Sequence, residues 1–217
     1  MRVLAFAPHN DDEVLGVGGT IAKLSTQGHE IFVCEVTSWL ENQDATIELK
    51  KQAIEAHNIL GVKETYFLDL PVVHLKETAT HIKNKKFCEI VNEVKPEMAF
   101  IPHIGDMHVD HAETAMAAMV ALRPLENPQL KQIYTYETLS ETEWNLPNVV
   151  NGFIPNVWCN ISDTFEKKVE AMKCFAGQLR AFPHPRSIEA INALAQLRGS
   201  TIGANYAEAF MLTREVF

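Results

Sequence analysis

Basic charge is in short supply. The chain has 19 Lys and Arg against 28 Asp and Glu, a formal net charge of −9. Phosphate backbones need a basic surface, so DNA and RNA are excluded as main partners. Cysteine is sparse as well. Cys34, Cys88, Cys159 and Cys174 include no C-x-x-C pair, which removes zinc ribbons and thioredoxin-like redox motifs. Cys34, Cys88 and Cys174 sit in apolar-patterned segments and read as small hydrophobes, free thiols that suit a reducing cytoplasm. No apolar run is long enough to span a membrane. The stretch after Arg2 turns polar at His9, too soon for a signal peptide. Ser38, Ser140 and Ser162 lack a G-x-S-x-G context, which argues against serine hydrolysis. Gly16, Gly18 and Gly19 lack G-x-G-x-x-G spacing, and a polar cluster fills the turn that a pyrophosphate would need. Close packing of a helix on a sheet explains those glycines better.

What is present is an ordinary globular composition, 47% hydrophobic and 22% charged over 217 residues, which suits one domain, 1–217, with a substantial core. Strand and helix patterns alternate. Residues 2–7 form a short apolar run closed by Pro8. Residues 12–27 have helical spacing and end at Gly28. A β-branched run follows at 31–37, then an amphipathic helix at 46–60 stopped by Gly61. Next come a strand at 64–68, a helix at 79–94 ended by Lys95-Pro96, a strand at 98–101, a helix at 110–122 and a strand at 133–138. Four such alternations predict right-handed βαβ units and a parallel sheet. The remainder is less regular: a strand at 157–161, a helix at 164–178 capped by Ser162-Asp163, a helix at 187–197 and a last strand at 210–213. The irregular stretch 139–155 reads as a lid or site wall.

Two clusters carry the chemistry. Pro8-His9-Asn10-Asp11-Asp12-Glu13 lies just beyond the first strand, and His108-Val109-Asp110-His111 lies just beyond the fourth. Open parallel sheets bind ligands outside the carboxyl ends of their strands, and the first and fourth strands often flank the switch point. The clusters are therefore expected to face each other across one crevice. His9, Asp12 and His111 are two imidazoles and a carboxylate, the ligand set of a catalytic zinc with one position left for water. Asp11 is the candidate general base, which deprotonates the water and then protonates the leaving amine. His108 is placed to stabilise an oxyanion, as imidazolium or neutral donor. Asp110 is expected to orient a neighbouring histidine, and Glu13 to support the site or favour the start of the helix. Two histidines and a carboxylate also admit iron, cobalt or manganese. These residues point to a metal-dependent hydrolase.

The same motifs resemble the LmbE / PIG-L family of zinc-dependent N-deacetylases, whose signature is a strand, then [AP]-H-P-D-D-E, L-G-x-G-G-T and a later H-P-D-H. Here they read Pro8-His9-Asn10-Asp11-Asp12-Glu13, Leu15-Gly16-Val17-Gly18-Gly19-Thr20 and His108-Val109-Asp110-His111. The resemblance runs on through Ile59-Leu60-Gly61-Val62 and Ala207-Glu208-Ala209-Phe210. It implies a Rossmann-like three-layer α/β fold with a mainly parallel central sheet, and hydrolysis of an acetamide, commonly on N-acetylglucosamine derivatives. It implies Zn2+ on His9, Asp12 and His111, with Asp11 as base and His108 at the oxyanion. The expected partner is a small acylated amino-sugar-like molecule. Relatives often form trimers or hexamers; the residues here do not decide the oligomeric state. Asn10 and Val109 stand where the motifs have Pro. Sugar-specific members carry Arg-x-x-Glu where this chain reads Glu48-Leu49-Lys50-Lys51, and Asp where it reads Pro71-Val72-Val73. Two alternatives follow: an amidase acting on thiol conjugates of a glucosamine-containing cofactor, and a sugar- or nucleotide-binding module without turnover.

Other polar residues receive blander readings. His103 and Asp106 read as surface loop residues. His29, His57, His74 and His81 lie in exposed-looking segments and receive no role. His184, with Pro183, Pro185 and Arg186, forms an unusual loop assigned to structure or an interface.

Overall fold

The computed structural model describes residues 1–146 and 152–217. Seven strands, β1 (Arg2–Ala7), β2 (Glu30–Ser38), β3 (Glu64–Pro71), β4 (Met98–Pro102), β5 (Gln132–Tyr136), β6 (Val157–Asn160) and β7 (Ala207–Glu215), form one sheet in the order β3-β2-β1-β4-β5-β7-β6. The first five strands are mutually parallel, and β7 runs antiparallel to both β5 and β6. β1 and β4 are neighbours, with Val3 opposite Met98.

Alternation along β1 builds both cores. Val3 and Ala5 face one cluster with α1 (Asp12–Thr26), α2 (Gln43–Leu60), α5 (Phe165–Cys174) and α6 (Ile188–Ser200). Leu4 and Phe6 face the other, with α3 (Thr80–Val94) and α4 (Val109–Ala121). Strands buried on both faces read as continuous apolar runs, as β1 does. Each large aliphatic or aromatic side chain fully buried here contributes about 1.5–3 kcal/mol. This is the three-layer α/β fold the sequence implied.

The glycines of α1 serve close approach. A Cβ on Gly16 would lie 2.2 Å from the Tyr136 ring, and one on Gly19 would lie 2.6 Å from Ile161. The helix thus sits on β5 and on the segment after β6. Gly61, at φ 77, closes α2 in the left-handed conformation that a Cβ disfavours. Lys168 of α5 locks this face. Its Nζ donates to Glu208 Oε1 at 2.6 Å and to the Leu15 carbonyl at 2.7 Å, while Glu208 accepts from the Gly19 and Thr20 amides.

Several expected boundaries shift: β3 runs on to Pro71, α2 begins at Gln43, and the last strand spans Ala207–Glu215, not 210–213. α5 ends at Cys174, not near 178, and its cap position is Thr164, whose hydroxyl donates instead to the Gly19 carbonyl. Part of the proposed wall, residues 147–151, lies outside the described residues.

Candidate active site

The turn from β1 into α1 is tied down by Thr37, whose hydroxyl and amide both donate to the Pro8 carbonyl. That leaves His9, Asp11 and Asp12 at the carboxyl end of β1. The loop after β4 delivers His108 as the N-cap of α4, with Asp110 and His111 in its first turn. The clusters expected to meet do meet. His9 Nδ1 lies 3.0 Å from Asp12 Oδ2, and His111 Nε2 lies 3.1 Å from the same oxygen.

The other nitrogen of each imidazole is held by a second carboxylate. His111 Nδ1 is 2.8 Å from Asp106 Oδ2, and Asp106 Oδ1 accepts from the Thr142 hydroxyl at 2.6 Å. His9 Nε2 is 3.3 Å from Asp110 Oδ2, which also accepts from the Val73 amide at 2.7 Å. Donation to these carboxylates turns the lone pairs of His9 Nδ1 and His111 Nε2 toward Asp12. Lone pairs facing a carboxylate repel unless a proton or a cation lies between them. Buried His111 Nε2 and Asp12 Oδ1 both lack a hydrogen-bond partner. The separations are close to the roughly 3.3 Å edge of a tetrahedron with zinc bonds of about 2.0–2.1 Å. Among the described residues, His9, Asp12 and His111 form one group able to hold a metal ion.

Without an ion, protons take that place. Burial opposes charge on His9, but Asp12 and Asp110 outweigh it and raise its pKa to about 9. Burial likewise opposes charge on His111, and Asp12 and Asp106 raise it to about 10. Asp12 is held well below the usual carboxylate range by His111 and His9, against the cost of burial. His108 goes the other way. Burial, then the charge on His9, lower it to about 4. Its Nδ1 accepts from the Asp110 amide at 3.2 Å, so the neutral ring carries its proton on Nε2. Asp11 is raised to about 6, chiefly by burial and against the pull of Arg186.

Several residues read as bland take structural parts here. Asp106 is buried against His111, and His103 is buried beside the Phe153 ring, so neither is a surface residue. Arg186, expected in a structural or interface loop, reaches the site instead. Its Nη1 donates to Asp11 Oδ2 at 3.0 Å, and its Nε donates to the Ser140 hydroxyl at 2.8 Å. Ser140, Glu141 and Thr142 begin the irregular stretch expected to wall the site. Glu141 and Arg186 line a cleft of about 190 Å³ with His9, Asn10, Asp11 and His108. His57 is also buried. It bridges Glu13 at 2.9 Å and the Thr65 hydroxyl at 2.7 Å. Burial, then the neighbouring Glu13, raise the pKa of Glu35 beside it well above the usual carboxylate range. Glu13 therefore faces a buried histidine behind the metal-type group.

Histidines and carboxylates at the carboxyl ends of adjacent parallel strands define an α/β enzyme with a centre suited to hydrolysis. Residues 4–122, more than half of the chain, match the family described as PIG-L: GlcNAc-PI de-N-acetylase, and the chain belongs to that family. The Uncharacterized deacetylase YaiS of Escherichia coli K12 is 27% identical over 176 residues, 79% of this chain and 88% of that protein. Diacetylchitobiose deacetylase of Thermococcus kodakarensis is 21% identical over 227 aligned positions, 100% of this chain and 84% of that protein. The crystal structure of the conserved protein TT1542 from Thermus thermophilus superposes with a TM-score of 0.81 at 24% identity, covering 100% of this chain and 96% of that one. At that identity the likeness shows the fold alone. Family and relatives make the chain a deacetylase, a hydrolase of amide bonds. No helix among the described residues is long and apolar enough to cross a membrane.

Proposed function

We propose that this chain removes the acetyl group from an N-acetylated amino sugar or sugar-linked small molecule, with zinc held by His9, Asp12 and His111. The observation that carries the reading is the convergence of these three side chains, with Asp110 and Asp106 behind the two imidazoles. A carboxylate behind each ligating histidine is the arrangement that orients metal ligands. The family match and the name of the Thermococcus relative support an acetylated amino sugar.

Bound at this group, a divalent ion supplies Lewis-acid polarisation of the amide carbonyl and makes a neighbouring water more acidic. The remaining work falls to the chain. Asp11, with a pKa of about 6, is a carboxylate at neutral pH and still basic enough to take a proton from the attacking water. The same carboxyl returns that proton to the amine nitrogen as the C–N bond breaks. Arg186 holds the Asp11 carboxylate in place. His108, neutral and protonated on Nε2, donates to the carbonyl oxygen as negative charge develops there. Asp110 fixes His9, and the Val73 amide fixes Asp110.

The test is acetate release from N-acetylglucosaminides by chelator-stripped and zinc-restored protein. Stripping is expected to abolish release and zinc to restore it. Asp11→Asn is expected to keep the ion and lose about 10²–10⁴-fold in kcat. Turnover that survives complete stripping, or an undiminished Asp11→Asn protein, overturns the reading.

A further inference from the structure

Beside the reaction cleft the surface opens into a second, larger pocket of about 580 Å³. Its lining includes Trp39 and Leu40 from the end of β2, and Pro71, Val72 and Val73 from the end of β3. Trp39, Val72 and Val73 also line the cleft that contains His9, Asp11 and His108, so the two adjoin. Trp39 is 50% exposed, Leu40 52% and Val73 49%. Three large apolar side chains left half in water at one place mark a site of contact.

Val73 sharpens the point. Its φ is 65°, a left-handed conformation that is costly for a β-branched residue. The backbone is needed there because its amide donates to Asp110. Glycine would supply the same amide without strain. The valine side chain adds strain and stays exposed, so the stability of the fold explains neither property. A role in contacting a ligand explains both.

We infer that this pocket is a subsite for an apolar, alkyl or aryl, group carried on the amine-bearing half of the substrate. The inference rests on the deacetylase reading. An acetyl group is small and leaves from the reaction cleft, so the larger apolar pocket serves what stays attached to the nitrogen. The indole of Trp39 offers a flat face for a ring, and Leu40, Val72 and Val73 supply aliphatic contact.

The experiment compares methyl and benzyl 2-acetamido-2-deoxyglucosides as substrates of the zinc-loaded full chain. In parallel, calorimetry measures binding of methyl and benzyl glucosides, which carry no amide and cannot turn over. The benzyl compound is expected to have a kcat/KM about tenfold higher, the gain expected from burying a phenyl-sized apolar surface. Only the benzyl glucoside is expected to bind measurably. Trp39→Ala and Leu40→Ser are each expected to cut that gain to within about twofold. Turnover of the methyl glycoside by Leu40→Ser, a position outside the reaction cleft, is expected to stay at the wild-type value, and both variants are expected to keep the wild-type melting temperature. Equal kcat/KM for both glycosides with no effect of Trp39→Ala overturns the subsite and leaves the deacetylase reading standing. Trp39-dependent binding of benzyl glucoside without acetate release from any glycoside supports the subsite and sinks the deacetylase reading.

Discussion

Asp106 is the most informative residue to change, because it is buried and meets the metal-type group through His111. Asp106→Asn keeps the shape. Its carbonyl oxygen can still accept from His111 Nδ1, the contact seen at 2.8 Å, while its amide donates to the Thr142 oxygen and the Thr142 proton must turn to another acceptor. What disappears is the negative charge behind the imidazole. A hydrogen bond to a charged group contributes about 1.5–3 kcal/mol against about 0.5–1.5 for a neutral pair. The difference, about 1–1.5 kcal/mol, passes to the ligating nitrogen as lower basicity. It corresponds to roughly tenfold weaker metal affinity, at the lower end of the 10–100-fold typical of such partners.

Competition against a chromophoric chelator measures this affinity directly. Zinc binding is expected to weaken about tenfold, while kcat at saturating zinc stays within a few-fold of wild type. A second readout comes from stripped protein. Asp106 is one of the charges that raise His111 to about 10, so the His111 titration followed by NMR is expected to move down in Asp106→Asn. Affinity unchanged within twofold refutes the argument that Asp106 orients a metal ligand. So does a His111 titration that does not move.

Two further outcomes follow from the geometry. Burial raises Asp11 to about 6 and only its carboxylate form can accept a proton, so kcat/KM is expected to fall as pH drops through about 6. A bound cation stabilises the carboxylate further and sets that midpoint at or below 6. A pH–rate profile checks it, and an acid limb centred near neutrality contradicts the assignment. Lys168→Met leaves Glu208 buried without its cation, although the Gly19 and Thr20 amides still donate to it. Losing one partner of a buried pair costs about 3–5 kcal/mol. Denaturant titration should show a loss near the lower end of that range, and a loss under about 1 kcal/mol would mean the pair matters little.

The fold was legible because its period-2 and helical signals are local. β1 appears with the expected bounds, and Gly28 and Gly61 both adopt positive φ just past the ends of their helices. Where the reading slipped, the missing information was mostly tertiary. The helix at α5 ends early because Phe175 turns into the core instead of continuing the coil. His57 is a different case. Ala53, Ala56, His57 and Leu60 are the buried positions of α2. Their spacing is itself a helical stripe, so the burial of His57 was open to the sequence, and reading it as exposed missed that stripe. Its partners, Glu13 after β1 and Glu35 in β2, explain how a histidine is tolerated there.

The site divides along the same line. The convergence of His9, Asp11, Asp12, His108, Asp110 and His111 could be read because each cluster is contiguous and follows a strand, and parallel topology then places strands one and four side by side. Asp106, Thr142 and Arg186 carry no such signal. Arg186 reaches Asp11 across 175 residues of chain, and Thr142 reaches Asp106 across 36. Both distances are closed by loops whose course no local pattern sets. Reaction class therefore resides in short motifs at strand ends, where geometry is inherited from the sheet. The tuning of those groups, and the pocket beside them, belong to segments that the sheet does not dictate. A chain can keep the first and change the second, and here Pro71-Val72-Val73 presents an apolar wall beside the histidine and carboxylate cluster.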